Sequence, residues 1–154
     1  MTTGRITAAA SPITFIDADG NQIQYRFSPL NDKDMDELDE WIQSKVVETA
    51  ARAIKPDMSQ AVQEMIMKSA HREALVVTWL SEAGAKILGT VHGMTHLCWK
   101  SLRKEHPNIT EDDIRPLLLL KGNLQKVNEK FGHVNAVPGY KSKNAKRAKA
   151  RRAR

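Results

Sequence analysis

His92 and His96 are the first residues to weigh for chemistry, because they stand four apart in a stretch with helical periodicity. On a helix that spacing puts both imidazoles on one side, where they could share a metal. A third ligand is missing. Cys98 follows His96 by two residues, which is about 200° round a helix, so it points away from the pair. Gly93 stands where a zinc-protease motif would place its glutamate. The residues therefore favour a packed or surface pair of histidines, and Cys98 reads as a small buried hydrophobe. The glycines are scattered, so no phosphate-cradling loop is formed, and no carboxylate pair stands apart from helix-start clusters. No cofactor is implied and no enzymatic activity is expected.

The elements that must position these residues follow from pattern. Ile13–Ile16 and Gln22–Phe27 flank the turn residues Asp17–Asn21, and Ile23, Tyr25 and Phe27 alternate with Gln22, Gln24 and Arg26. This is a β-hairpin with one face to bury. Its Asp-x-Asp-x-Asn turn lacks the glycine and the bidentate glutamate of a calcium loop, so it reads as a turn. Asn31 or Asp32 caps a first helix. Its apolar stripe runs through Met35, Leu38, Ile42, Val46, Ala50 and Ala53, and it ends near Ile54 before Pro56. The acidic start of that helix suits the helix dipole and reads first as a solvated, well-capped start, with docking of a basic partner as the alternative.

A second helix opens at Asp57–Gln60, with Val62, Met65, Ile66, Ser69 and Ala70 on one face. The same period carries it through Val76 to Leu80. A third long helix is expected from Ala85 to Glu105, with Gly89 and Gly93 inside it. Each glycine costs a helix about 1 kcal/mol relative to alanine, so close packing is expected there. Lys100, Arg103, Lys104 and His106 crowd its end, and Pro107 stops it. Thr110 then begins a capping box. Pro116 is expected to follow a short turn and to restart a helix through Leu117, Leu118, Leu119 and Leu120. Asn123 can cap a last helix, which Gly132 ends. Four consecutive leucines cannot all face one core, so at least one should touch a second surface.

Composition limits the partners. The chain has 154 residues, one cysteine and a net charge of +6. Eight basic residues and no acidic ones lie in 140–154, namely Lys141, Lys143, Lys146, Arg147, Lys149, Arg151, Arg152 and Arg154. Without them the body holds 16 basic against 18 acidic residues. The body is thus not a basic nucleic-acid-binding fold. The tail itself is a polyanion-binding candidate, for nucleic acid or an acidic protein such as the first helix of a second copy. The expected organisation is a flexible start (1–11), one α-rich domain (12–135) in which the hairpin packs on four to five helices, and a disordered basic tail (136–154). One cysteine, no long apolar start and no membrane-length apolar run point to the cytoplasm.

Two phrases resemble those of tail assembly chaperones of long-tailed bacteriophages. The first runs from Tyr25 through Pro29 and Asp36 to Trp41. The second runs from His96 through Trp99, Leu102, His106 and Pro107 to Thr110, Glu111, Asp112, Asp113 and Ile114. The order of elements is similar over roughly residues 23 to 131. The resemblance implies a small helical protein, host-cytoplasmic if viral, that binds the tape-measure protein and recruits tail-tube subunits. It would act through apolar helix faces, with Leu117, Leu118, Leu119, Leu120, Met65, Ile66 and Met67 as candidate contacts. Self-association is compatible with such a role. A nucleic-acid-associated structural or adaptor protein, acting through the basic tail, is the alternative.

Overall fold

The computed structural model describes residues 10–134. It is mainly helical, in the order β1 (Ser11–Ile16), β2 (Gln22–Phe27), α1 (Asp32–Ala53), α2 (Gln60–Ala74), α3 (Glu82–Leu88), α4 (Val91–Leu102), α5 (Glu111–Leu118) and α6 (Asn123–Val134). The predicted hairpin and helical class are present, with six helices among the described residues where four to five were expected.

The hairpin is antiparallel and pairs Ile13 with Tyr25 and Phe15 with Ile23. Asp17 accepts from the Asp19 and Asn21 amides, and Gly20 takes φ of 82°, so the turn cluster closes on itself. Ile13, Phe15 and Phe27 are buried against the helices. Such packing is what a two-stranded sheet needs to persist in water. α6 takes the place of a third strand along β1. Asn123 bonds both the N–H and the C=O of Ile16, and Lys126 donates to the Thr14 carbonyl. Asn123 is thus not free to cap α6, the role its position suggested. Nor does Gly132 end that helix, which runs on to Val134.

α4 is the central element, with Gly93 to Cys98 and Lys100 to Leu102 all buried. Its core partners include Leu38 and Ile42 of α1, Ile114, Leu117 and Leu118 of α5, and Val127 of α6. The single long helix predicted from Ala85 to Glu105 is instead α3 and α4. Thr90 breaks it, because its hydroxyl accepts from the Gly93 amide and starts a new helix. The close approach expected at the glycines occurs at Gly93. A Cβ there would lie 2.2 Å from the Ile87 carbonyl oxygen and 2.6 Å from Leu88 Cα. Gly89 is looser, at 3.3 Å from the Ala85 oxygen.

α2 also departs from expectation, ending at Ala74 instead of running to Leu80. β-branched Val76, Val77 and Thr78 weaken a helix, and tertiary partners take over their backbone. Gln43 of α1 donates to the Val77 carbonyl at 3.2 Å, and Asp39 accepts from the Trp79 amide at 2.7 Å. Val77 thereby enters the core.

α5 begins at Glu111 under the Thr110–Asp113 capping box and carries Pro116 inside it. The missing proline N–H would have bonded to the Asp112 carbonyl, and Asp112 is exposed, so water can serve that oxygen. With the helix starting at Glu111, Ile114, Leu117 and Leu118 share one buried face.

Candidate partner-binding surface

α2 is the element least committed to the interior. It packs along α1, and its buried residues are only Ala70 and Ala74. Ser59 caps it, accepting from the Val62 amide. Ile66 and Met67 are half-buried, whereas Met65 is 63% exposed and Val62 38%. In the loop after the helix, Leu75 is 78%, Val76 75% and Leu80 58% exposed. Isolated exposed apolar side chains are ordinary; a run of them along one helix and its following loop marks a contact surface.

The leucine run divides. Leu117 and Leu118 are core residues, so as partner contacts they are corrected: they fill the α4–α5 interface. Leu119 is 66% exposed and Leu120 half-buried, which leaves these two near the surface. The earlier signal for this split was the i, i+3, i+4 spacing of Ile114, Leu117 and Leu118, hidden by the expectation that Pro116 must restart the helix. The basic candidates Lys141, Lys143, Lys146, Arg147, Lys149, Arg151, Arg152 and Arg154 lie outside the described residues.

The histidines join an aromatic stack. His96 lies parallel to Trp41, with ring centroids 4.3 Å apart at 5°, and His92 lies 5.5 Å from the same ring. His96 Nδ1 is 2.9 Å from Glu111 Oε1, tying α4 to the start of α5. Burial lowers the His96 pKa from its ordinary value, with the Glu111 hydrogen bond opposing. Among the described residues no group of three or more His, Cys, Asp or Glu could hold a metal ion. Cys98 is fully buried, and burial pushes its thiol up to about 12, so it behaves as a small hydrophobe.

A buried charge cluster was not visible in the sequence. The Lys100 side chain is 3% exposed and its Nζ lies 2.6 Å from Glu37 Oε2, which also accepts from Arg103 at 3.1 Å. Lys104 reaches Asp34 at 2.5 Å and the Pro29 carbonyl at 2.8 Å. Burial alone would raise the Asp34 carboxyl, but Lys104, the Asn31 amide and Lys100 hold it below its ordinary value. Hydrogen bonding and charge from Lys100 lower Glu37 in the same way. The acidic start of α1 therefore does dock on basic groups, but those of its own α4. His106 is likewise engaged, its Nε2 accepting from the Arg26 amide of β2 at 3.0 Å.

Comparison with protein-family models, curated proteins and solved structures gives no match to this chain. No helix among the described residues is long and apolar enough to cross a membrane.

Proposed function

We propose that the protein is a non-enzymatic assembly chaperone that holds a helical partner on the outer face of α2, as a phage tail assembly chaperone would hold the tape-measure protein while tail-tube subunits are recruited. The observation that carries this reading is the exposure of Val62 and Met65 on α2, a helix whose buried residues are only two alanines, together with Leu75, Val76 and Leu80 in the loop that follows it. The two phrases resembling that family support it independently. A long amphipathic partner would cover such a stripe by laying its own apolar face along it.

The test is a pull-down from native or phage lysate, in low and high salt, with captured proteins identified by mass spectrometry. The wild-type chain should retain a tape-measure or tail-tube protein in high salt, and Met65→Asp should lose it. A second reading rests on the eight cations of 140–154. They would hold nucleic acid with affinity falling steeply as salt rises. Nucleic acid retained in low salt only, unaffected by Met65→Asp and with no tail protein captured, would replace the chaperone reading by this one.

A further inference from the structure

From the charges beside the α2 stripe we infer the chemistry of its occupant: an amphipathic helix with acidic side chains along one flank of its apolar face. This rests on the proposal that α2 is a docking surface. At 100° per residue, Arg72 and Lys68 lie about 20° and 60° round the helix from Met65, both on the side away from Val62. They are four residues apart and so form one row beside the apolar stripe. Both are exposed, and neither forms an ion pair among the described residues. Glu64 borders the same row one turn earlier, but its carboxylate accepts from Gln60 Nε2 at 3.2 Å, and it sits about 100° from Met65.

On the opposite side of the stripe the exposed charge is Glu73, about 20° from Ile66. Met65 is therefore bordered on one side by two cations, with Glu64 a turn before them, and on the other by Glu73. This contrasts with the basic end of α4, where Lys100, Arg103 and Lys104 are all taken up by Asp34 and Glu37. Lys68 and Arg72 are an i, i+4 cation pair left for an external carboxylate. A partner helix seated on Met65 and Val62 would bring its own flank residues over this pair. Acids three or four apart on that flank would meet both cations, whereas a basic flank would face like charge. Rim charges of this kind select partners more than they add affinity.

The probes are two synthetic peptides about five turns long (roughly 18 residues), with leucine and methionine on one face. One carries glutamate along a flank; the other carries lysine at the same positions. Binding to the full-length chain is followed by fluorescence anisotropy at physiological salt. Wild type is compared with Lys68→Glu/Arg72→Glu and with Met65→Asp, so the basic C-terminal residues are common to all three. The acidic peptide should bind wild type more tightly, and the double reversal should shift the acidic-to-basic preference by about tenfold or more, as two rim ion pairs turned into two repulsions imply. Met65→Asp should weaken both peptides.

An unchanged preference in the charge-reversed protein, with binding still lost in Met65→Asp, overturns the inferred chemistry and leaves the docking surface standing. Binding of neither peptide, or binding indifferent to Met65→Asp, overturns the docking surface itself. Sedimentation of the wild-type chain as a dimer that Met65→Asp dissociates would make a second copy the occupant, and would overturn the inference as well.

Discussion

Replacing Asn123 should be among the most damaging changes of one polar side chain in this protein. The residue is 1% exposed and its amide ties three elements together. Its Oδ1 accepts from the Ile16 amide at 3.3 Å, and its Nδ2 donates to the carbonyls of Ile16 at 2.9 Å and Leu117 at 2.8 Å. In Asn123→Ala these three bonds are lost, although the Leu117 carbonyl still accepts from the Leu120 amide at 3.2 Å. Ile16 is 45% exposed, so water can reclaim much of its two bonds. Leu117 is buried, but its carbonyl keeps the Leu120 amide and so is not orphaned. Taking about 0.7 kcal/mol for each of the three bonds gives about 2 kcal/mol. That is on the order of a fifth of the 5–15 kcal/mol that holds a typical domain folded.

Asn123→Asp separates this account from a simple packing effect. The carboxylate keeps the acceptor for the Ile16 amide, but it places negative oxygen where Nδ2 faced two carbonyls. It should therefore cost at least as much as the alanine at neutral pH. Acidification should recover part of that loss, because a protonated carboxyl can donate once. Urea titrations followed by far-UV circular dichroism give the stabilities, and hydrogen exchange of the Ile16 amide reports the hairpin end. A loss under about 1 kcal/mol in Asn123→Ala, or an aspartate variant more stable than the alanine at neutral pH, would refute the reasoning.

Other outcomes follow from the same geometry. His96 has a folded-state pKa below its unfolded value of 6.5, so the unfolded chain binds the proton more readily. The resulting stability is present above pH 6.5 and is lost as pH falls below it, and His96→Phe should flatten that part of the stability–pH curve. Gly93→Ala drives a Cβ into the α3 backbone and should cost about 1–3 kcal/mol by thermal melting, whereas Gly89→Ala should stay within about 1 kcal/mol. The Cys98 thiol, with its pKa at about 12 and its side chain fully buried, should not react with an aromatic disulfide reagent at pH 8 until denaturant is added.

Local signals in the sequence determined a good deal. Alternation of Ile23, Tyr25 and Phe27 gave β2 and its buried face, and Asn31, one of two cap candidates, gave the start of α1. These are short-range effects: a pleat exposes every second residue to one side, and a cap bonds an amide three residues on. The same logic put Met65 and Ala70 on one face of α2, whereas the structure exposes Met65 and buries Ala70. It went astray wherever backbone was claimed by distant side chains or by packing. Nothing near Val77 and Trp79 announces that Gln43 and Asp39 will take their carbonyl and amide in place of a continuing helix. Gly93 permits a break because α3 presses on it, and the Thr90 cap exploits that. Pro116 stays inside α5 because burial of Ile114, Leu117 and Leu118 outweighs one missing hydrogen bond.

Charge was the least legible property. Lys100, Arg103 and Lys104 read as a dipole-matched helix end, and Asp34 and Glu37 as a solvated helix start. Only the tertiary structure brings these elements, more than sixty residues apart, within hydrogen-bonding distance. A sequence sets which groups are charged and which helix face each occupies. The approach of another helix decides whether that face meets water, a counter-charge or a partner. On α4 the counter-charge is internal. On α2 no described element covers the stripe, and Lys68 and Arg72 keep their charges facing outward.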